Sequence, residues 1–133
     1  MARKPTKKAG KAKKILIVED EEMLATMYAD RFVKEGWKVT VAPSRDEGLA
    51  AAQKVRPDIV LLDILLFDGH GTEFLRRQKE SKAISNIPVL VFSNLDDPQT
   101  RKDSLELGAL EYLLKTDYTP QRLVEKVRSY LNR

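Results

Sequence analysis

Three acidic residues stand directly after apolar runs in this chain: Glu19 and Asp20 follow Ile15, Leu16, Ile17 and Val18, and Asp63 follows Ile59, Val60, Leu61 and Leu62. Runs of this kind, rich in β-branched residues, read as strands buried on both faces, as in parallel sheets. Such sheets bind ligands beyond the carboxyl ends of their strands, which is where these acids fall. Ser93 and Lys115 close two further apolar runs. Three carboxylates brought close together repel, so they either raise one another's pKa or share a divalent cation. Oxygen donors without cysteine or clustered histidine suit Mg²⁺, or Mn²⁺, which keep several waters and use one or two carboxylates. A metal, a lysine and a hydroxyl are sufficient parts for neutralising an arriving phosphoryl group. The nucleophile is then a carboxylate, because aspartate can form an acyl phosphate and the chain has no cysteine and a lone histidine, His70.

The elements that must position these residues are legible as alternating patterns. Lys13 to Glu19 reads as a strand, and the helix that starts at Glu21 puts Leu24, Met27, Tyr28 and Phe32 on one face until Gly36 ends it. Trp37 to Val41 is a short strand, Ser44 and Glu47 form a capping box for the second helix, and Arg56-Pro57 stops it. Asp58 to Leu62 is the most apolar strand, followed by a loop from Ile64 to His70 and a helix from Gly71 to Ser81. Pro88 opens the strand Val89 to Phe92, Asp97 before Pro98 starts a helix that Gly108 ends, and Leu110 to Leu114 is the fifth strand. Thr119 before Pro120 repeats the cap, and Leu123, Val124, Val127 and Leu131 line one face of the last helix. Five strands alternating with five helices predict an α/β fold, a doubly wound parallel sheet with helices on both faces. Right-handed crossovers and the switch-point rule favour a site where strands one and three are neighbours.

Composition bounds the rest. A chain of 133 residues is one domain with a core of its own, and the absence of cysteine excludes disulfides and thiolate metal sites. No apolar run approaches membrane-spanning length, so the expectation is a cytoplasmic protein with no membrane partner. Residues 1–14 carry seven basic residues and no acid, leaving 17 basic against 20 acidic residues, a formal −3, in the remainder. Residues 1–12 are expected to be a disordered basic tail, a solubilising extension that touches nucleic acid only weakly through counterion release. The folded domain then covers 13–133.

Taken singly, each candidate has an ordinary structural use. Asp63 suits a turn, Glu19-Asp20 the start of the first helix, Ser93 an N-cap, and Tyr112 the packing of a strand. Lys115 alone reads as a solvated surface cation, and His70 as an exposed loop residue without a catalytic role.

As a set, the residues match a family. Ile15-Leu16-Ile17-Val18-Glu19-Asp20-Glu21, Asp58-Ile59-Val60-Leu61-Leu62-Asp63 with Gly71 eight residues after the aspartate, Pro88-Val89-Leu90-Val91-Phe92-Ser93, and Gly108-Ala109 leading to Tyr112 and Lys115 resemble response-regulator receiver domains of two-component signalling. The resemblance covers about residues 13–132 and is to the single-domain, chemotaxis-regulator kind. It implies a flavodoxin-like sheet of order 2-1-3-4-5 and a stand-alone phosphoacceptor that catalyses only its own phosphorylation and dephosphorylation. Asp63 would receive a phosphoryl group from a sensor histidine kinase or a histidine phosphotransfer protein. Asp20 would ligate Mg²⁺ directly, Glu19 through a metal-bound water, and Asp63 and the backbone carbonyl of Leu65 would complete the protein ligands. Lys115 would pair with Asp63 and then with the phosphoryl oxygens. Ser93 would hydrogen-bond the phosphoryl group and draw its loop inward, and Tyr112 would change rotamer to fill the space. The readout would be a rearranged surface on helix four, strand five and helix five, offered to a downstream protein or to a second copy in a phosphorylation-dependent homodimer.

The chain also departs from that family's pattern. Thr116 replaces the proline that usually follows the lysine, so the Lys115–Thr116 bond is expected to be trans or visibly strained, since a cis bond before a non-proline residue costs about 3 kcal/mol. Phe67 replaces another common proline, and Asn94 stands where a small residue is usual. Leu65 cannot position an attacking water, which predicts a long-lived phosphoryl state. Two other readings stay open: a Mg²⁺-dependent phosphohydrolase of flavodoxin-like fold acting through Asp63, and a phosphorylation-independent pseudo-receiver whose basic tail associates with nucleic acid.

Overall fold

The computed structural model describes residues 12–132, so the expected basic tail lies, but for its last residue, outside the described residues. Five parallel strands form the main sheet: β1 (Lys14–Val18), β2 (Lys38–Ala42), β3 (Ile59–Leu62), β4 (Val89–Ser93) and β5 (Glu111–Leu114). Their order is β2-β1-β3-β4-β5, as expected. The helices are α1 (Glu22–Lys34), α2 (Arg45–Val55), α3 (Gly71–Glu80), α4 (Pro98–Glu106) and α5 (Pro120–Leu131).

The unbroken apolar runs are explained by the two cores that the sheet separates. Leu16, Val18, Val60, Leu62, Val89 and Val91 face one core with Phe74 and Leu75 of α3. Their alternates, Ile15, Ile17, Ile59, Leu61, Leu90 and Phe92, face the other with Tyr28 and Phe32 of α1 and Leu123, Val124 and Val127 of α5. Neither face of the three central strands meets water, so the period-2 alternation of a half-exposed sheet is absent.

The predicted helix boundaries hold where capping chemistry marked them. Asp97 and Thr119 accept hydrogen bonds from the N–H groups of Thr100 and Arg122, with proline at the first helical position in both helices. At the end of α1, Gly36 N–H donates to the Val33 carbonyl and Trp37 N–H to the Phe32 carbonyl, both at 3.0 Å. The Phe32 and Trp37 rings then meet edge-on at 5.3 Å, the apolar contact that accompanies this kind of helix stop. Arg56, barred from a helical backbone by Pro57, closes α2 in the left-handed region with φ 54°.

Two local expectations are corrected. The buried stripe of α1 is Ala25, Tyr28 and Phe32, whereas Met27, one residue off that stripe, is 43% exposed. The segment between β3 and α3 is not an irregular loop, because Leu65–Leu66 pairs antiparallel with Gly69–His70 in a small hairpin.

Candidate functional site

Register brings the acids together. Val18 of β1 lies opposite Leu62 of β3, so the residues that follow them leave the sheet at the same level. The Asp63 N–H donates to the Val18 carbonyl at 3.0 Å, and the Glu19 N–H to the Ala42 carbonyl of β2 at 3.0 Å. Ser93, the last residue of β4, pairs with Leu114, which places Lys115 beside it at the end of β5. Glu19, Asp20, Asp63, Ser93 and Lys115 therefore share one edge of the sheet.

Asp63 is 7% and Glu19 4% exposed. Lys115 Nζ bridges them, donating to Glu19 Oε1 and, at 3.1 Å, to Asp63 Oδ2. The other Asp63 oxygen accepts the Leu65 N–H at 3.3 Å, and Glu19 Oε2 accepts the Glu21 N–H at 3.1 Å. Carboxylate oxygens of Glu19, Asp20 and Asp63 all lie within 4.8 Å of one another. Ile17, Tyr28, Leu61 and Phe92 line the space beneath Glu19 and Asp63, while the Glu19-Asp20 side opens into a groove of about 510 Å³ bounded by Ala25, Ala29, Val41 and Pro43.

This geometry is electrostatically unbalanced. Burial, and then the neighbouring Asp63, push the Glu19 carboxyl above its usual range, against the pull of Lys115. Burial works against the Lys115 ammonium, but the hydrogen bond to Glu19 and the charge of Asp63 outweigh it, so its pKa is raised. One lysine cannot neutralise three acids, and a hard divalent cation held by carboxylate oxygens would restore the balance. The donor set fits such an ion.

On the opposite side, the fully buried Ser93 Oγ accepts the Leu95 N–H at 3.2 Å. Tyr112 is buried, with its hydroxyl donating to the Leu95 carbonyl at 2.6 Å. Burial raises the Tyr112 phenol, while Arg101 and a hydrogen bond with Ser93 act to lower it. Arg101 of α4 lies over the Tyr112 ring at 4.9 Å from its centroid and donates to the Tyr112 carbonyl at 3.2 Å. No cis peptide bond occurs among the described residues, so the Lys115–Thr116 bond is trans, and Lys115–Asp117 forms a 3₁₀ turn. Asn94 is exposed, as are Leu65 at 52% and Phe67 at 75%.

Gly71 fixes the approach of α3 to Asp63. A Cβ there would lie 2.4 Å from the Asp63 carbonyl oxygen and 2.8 Å from the Ile64 Cα, both backbone atoms. Only glycine permits that contact. His70 is exposed and caps α3, its Nδ1 within 2.8 Å of Thr72 Oγ1. Sequence reasoning missed Leu95, Arg101 and Asp68. Leu95 acts through its backbone, which residue type does not signal, and Arg101 finds its partner 11 residues away. Asp68-Gly69 carries a turn signal, but nothing in it announces a bond to α2.

The fold and crevice together define a flavodoxin-like α/β module, with acids, a hydroxyl and a lysine gathered where β1 and β3 meet. The profile described as "Response regulator receiver domain" matches residues 15–128. The chain belongs to that family, the receiver domains of two-component systems. It is 36% identical over 120 residues to the transcriptional regulatory protein TrcR of Mycobacterium tuberculosis, covering 90% of this chain and 46% of that protein. It is 37% identical over 119 residues to the sensory transduction protein RegX3 of the same species, covering 90% and 51%. The chain thus spans about half the length of these curated relatives. Among solved structures, a CheY-like receiver domain protein of Methanospirillum hungatei superposes with a TM-score of 0.85 at 28% identity, covering 92% of this chain and 95% of that one. The BeF3-activated receiver domain of Klebsiella pneumoniae RstA gives 0.81 at 32% identity, covering 90% and 99%. Response regulators interact with histidine kinases and downstream targets. No helix among the described residues is long and apolar enough to cross a membrane.

Proposed function

We propose that the chain is a phosphoacceptor: Asp63 takes a phosphoryl group from a phosphohistidine of a sensor kinase or phosphotransfer protein. The observation that carries this reading is the buried Asp63 carboxylate, held at one oxygen by Lys115 and at the other by the Leu65 N–H. An Asp63 oxygen bonds to phosphorus as the P–N bond breaks, and the imidazole leaves with the bonding pair and takes up a proton. Glu19, Asp20, Asp63 and the Leu65 carbonyl would hold Mg²⁺, which when bound screens the acids and neutralises charge on the phosphoryl oxygens. Lys115 moves from the carboxylate to the phosphoryl oxygens without leaving the crevice. The apolar floor of Ile17, Leu61 and Phe92 keeps water away from that side of the acyl phosphate.

Ser93 supplies the link to the surface. Its Oγ accepts the Leu95 N–H, and its O–H turns to a phosphoryl oxygen and draws residues 93–95 inward. Tyr112, bound to the carbonyl of the same Leu95, follows that movement, and Arg101 carries it to α4. The surface of α4, β5 and α5 is then read by a downstream protein or by a second copy of the chain.

Incubation with acetyl phosphate and Mg²⁺, followed by intact mass measurement, tests the reading. The expected result is one phosphoryl group per chain, with no continuing release of phosphate from small phosphoesters. Sustained turnover of a phosphoester would instead establish a phosphohydrolase, and no adduct under any condition a pseudo-receiver.

A further inference from the structure

The hairpin that carries Leu65 is anchored at both ends. At its base, the Gly71 N–H donates to the Ile64 carbonyl at 2.7 Å and the Leu65 N–H to Asp63. At its tip, the Asp68 carboxylate reaches across to α2. One oxygen accepts the Arg45 N–H at 2.9 Å and the other the Asp46 N–H at 3.1 Å. These are the first two helical N–H groups, and Ser44 Oγ takes the third, from Glu47, at 3.1 Å. Arg45 also covers the back of the hairpin: a Cβ on Gly69 would lie 2.3 Å from its Nη1.

The place of that anchor matters more than its strength. The turn from β2 to α2 that holds Asp68 also holds Glu19, through the bond from the Glu19 N–H to the Ala42 carbonyl. The acids after β1 and the hairpin after β3 are therefore both referenced to residues 42–46. Leu65 sits on a two-residue strand opposite His70, too short to fix its own orientation. Remove the bond at the tip, and the Leu65 carbonyl is held only from its base.

We propose that Asp68 is a positioning residue for cation binding: by tying the hairpin tip to the start of α2, it aims the Leu65 carbonyl at the site formed by Glu19, Asp20 and Asp63. This rests on the proposed divalent-cation binding and goes beyond it, because Asp68 itself touches neither the cation nor the acids. A plain helix cap would stabilise α2 to a similar extent and leave the cation unaffected. Ser44 is such a cap on the same helix, which makes Ser44→Ala the matched control.

The test compares wild type, Asp68→Ala, the milder Asp68→Asn and Ser44→Ala by calorimetric titration with MgCl₂. Leu65 amide exchange is measured by NMR without metal. Asp68→Ala is expected to weaken Mg²⁺ binding by about ten-fold, the low end of what orienting residues behind metal ligands contribute, and to speed Leu65 exchange in the metal-free protein. Asp68→Asn, keeping one oxygen acceptor, should fall between it and wild type. Ser44→Ala should lower thermal stability while leaving both the affinity and the exchange as in wild type. Unchanged affinity in both Asp68 variants, or an equal loss in Ser44→Ala, would overturn the inference. Failure of the wild type to bind Mg²⁺ would overturn the cation reading beneath it, a result distinguishable from the other two.

Discussion

Lys115 is the residue on which the crevice turns. It is the partner of both buried acids, and removing it leaves Glu19 and Asp63 facing each other without a cation. Lys115→Met is expected to destabilise the metal-free protein by about 3 kcal/mol, as when one member of a buried ion pair is deleted. The loss should shrink when Mg²⁺ is added. Urea unfolding with and without Mg²⁺ measures this, and equal stability of the two proteins in chelator would show that the lysine does not balance the acids. Leu65 makes a second residue-scale case. Its exposed apolar side chain, two residues after Asp63, has no group to orient water. Leu65→Asn should shorten the lifetime of the acyl phosphate, followed as loss of the mass adduct, and an unchanged or longer lifetime would remove that role.

At the scale of elements, the constraint is how closely α3 approaches β3. Gly71→Ala would drive a methyl group into the Asp63 carbonyl and the Ile64 Cα, neither of which can rotate away. The expected cost is about 2–3 kcal/mol in urea unfolding, with slower phosphorylation because Asp63 is displaced. A variant as stable and as fast as wild type would mean that α3 slides freely. The same scale shows what the sequence could and could not reveal. β1, β3 and β4 were legible because strands covered on both faces need unbroken apolar runs, and the caps Asp97-Pro98 and Thr119-Pro120 fix helix starts by local chemistry alone. Given those strand ends, the acids and Ser93 followed, and Lys115 followed from the end of β5. The hairpin at 65–70 was not legible, because two-residue strands are too short to show any period. Nor were the Asp68 bonds to α2, 22 and 23 residues away in the chain, since only the tertiary fold creates them. Met27 was misplaced because it borders the α1 stripe, where one residue's rotation of 100° decides burial.

For the whole molecule, stability against acid depends on carboxylates that cap helices. The N–H groups of Arg45 and Asp46, with the charge of Arg45, outweigh burial and hold Asp68 below the ordinary 3.8. The Thr100 hydroxyl and N–H do the same for Asp97 at the start of α4. A folded pKa below the unfolded one means stability that is complete above 3.8 and lost as pH falls through the folded value. The stability gap between wild type and an Asp68→Asn, Asp97→Asn double variant should therefore be present at neutral pH and narrow as pH falls below 3.8. An equal gap at both ends would show that the caps do not act through charge. One atom group in this whole, the carboxylate at the end of β3, would carry the phosphoryl group, and borohydride trapping addresses it directly. Borohydride reduces an aspartyl phosphate to homoserine, which peptide mass mapping locates in the chain. After reaction with acetyl phosphate, the expected map shows homoserine at position 63 alone, when Mg²⁺ is present and not when it is chelated. Homoserine at another aspartate, or none at position 63 in a chain that has gained a phosphoryl group, would contradict the assignment of Asp63 as the acceptor.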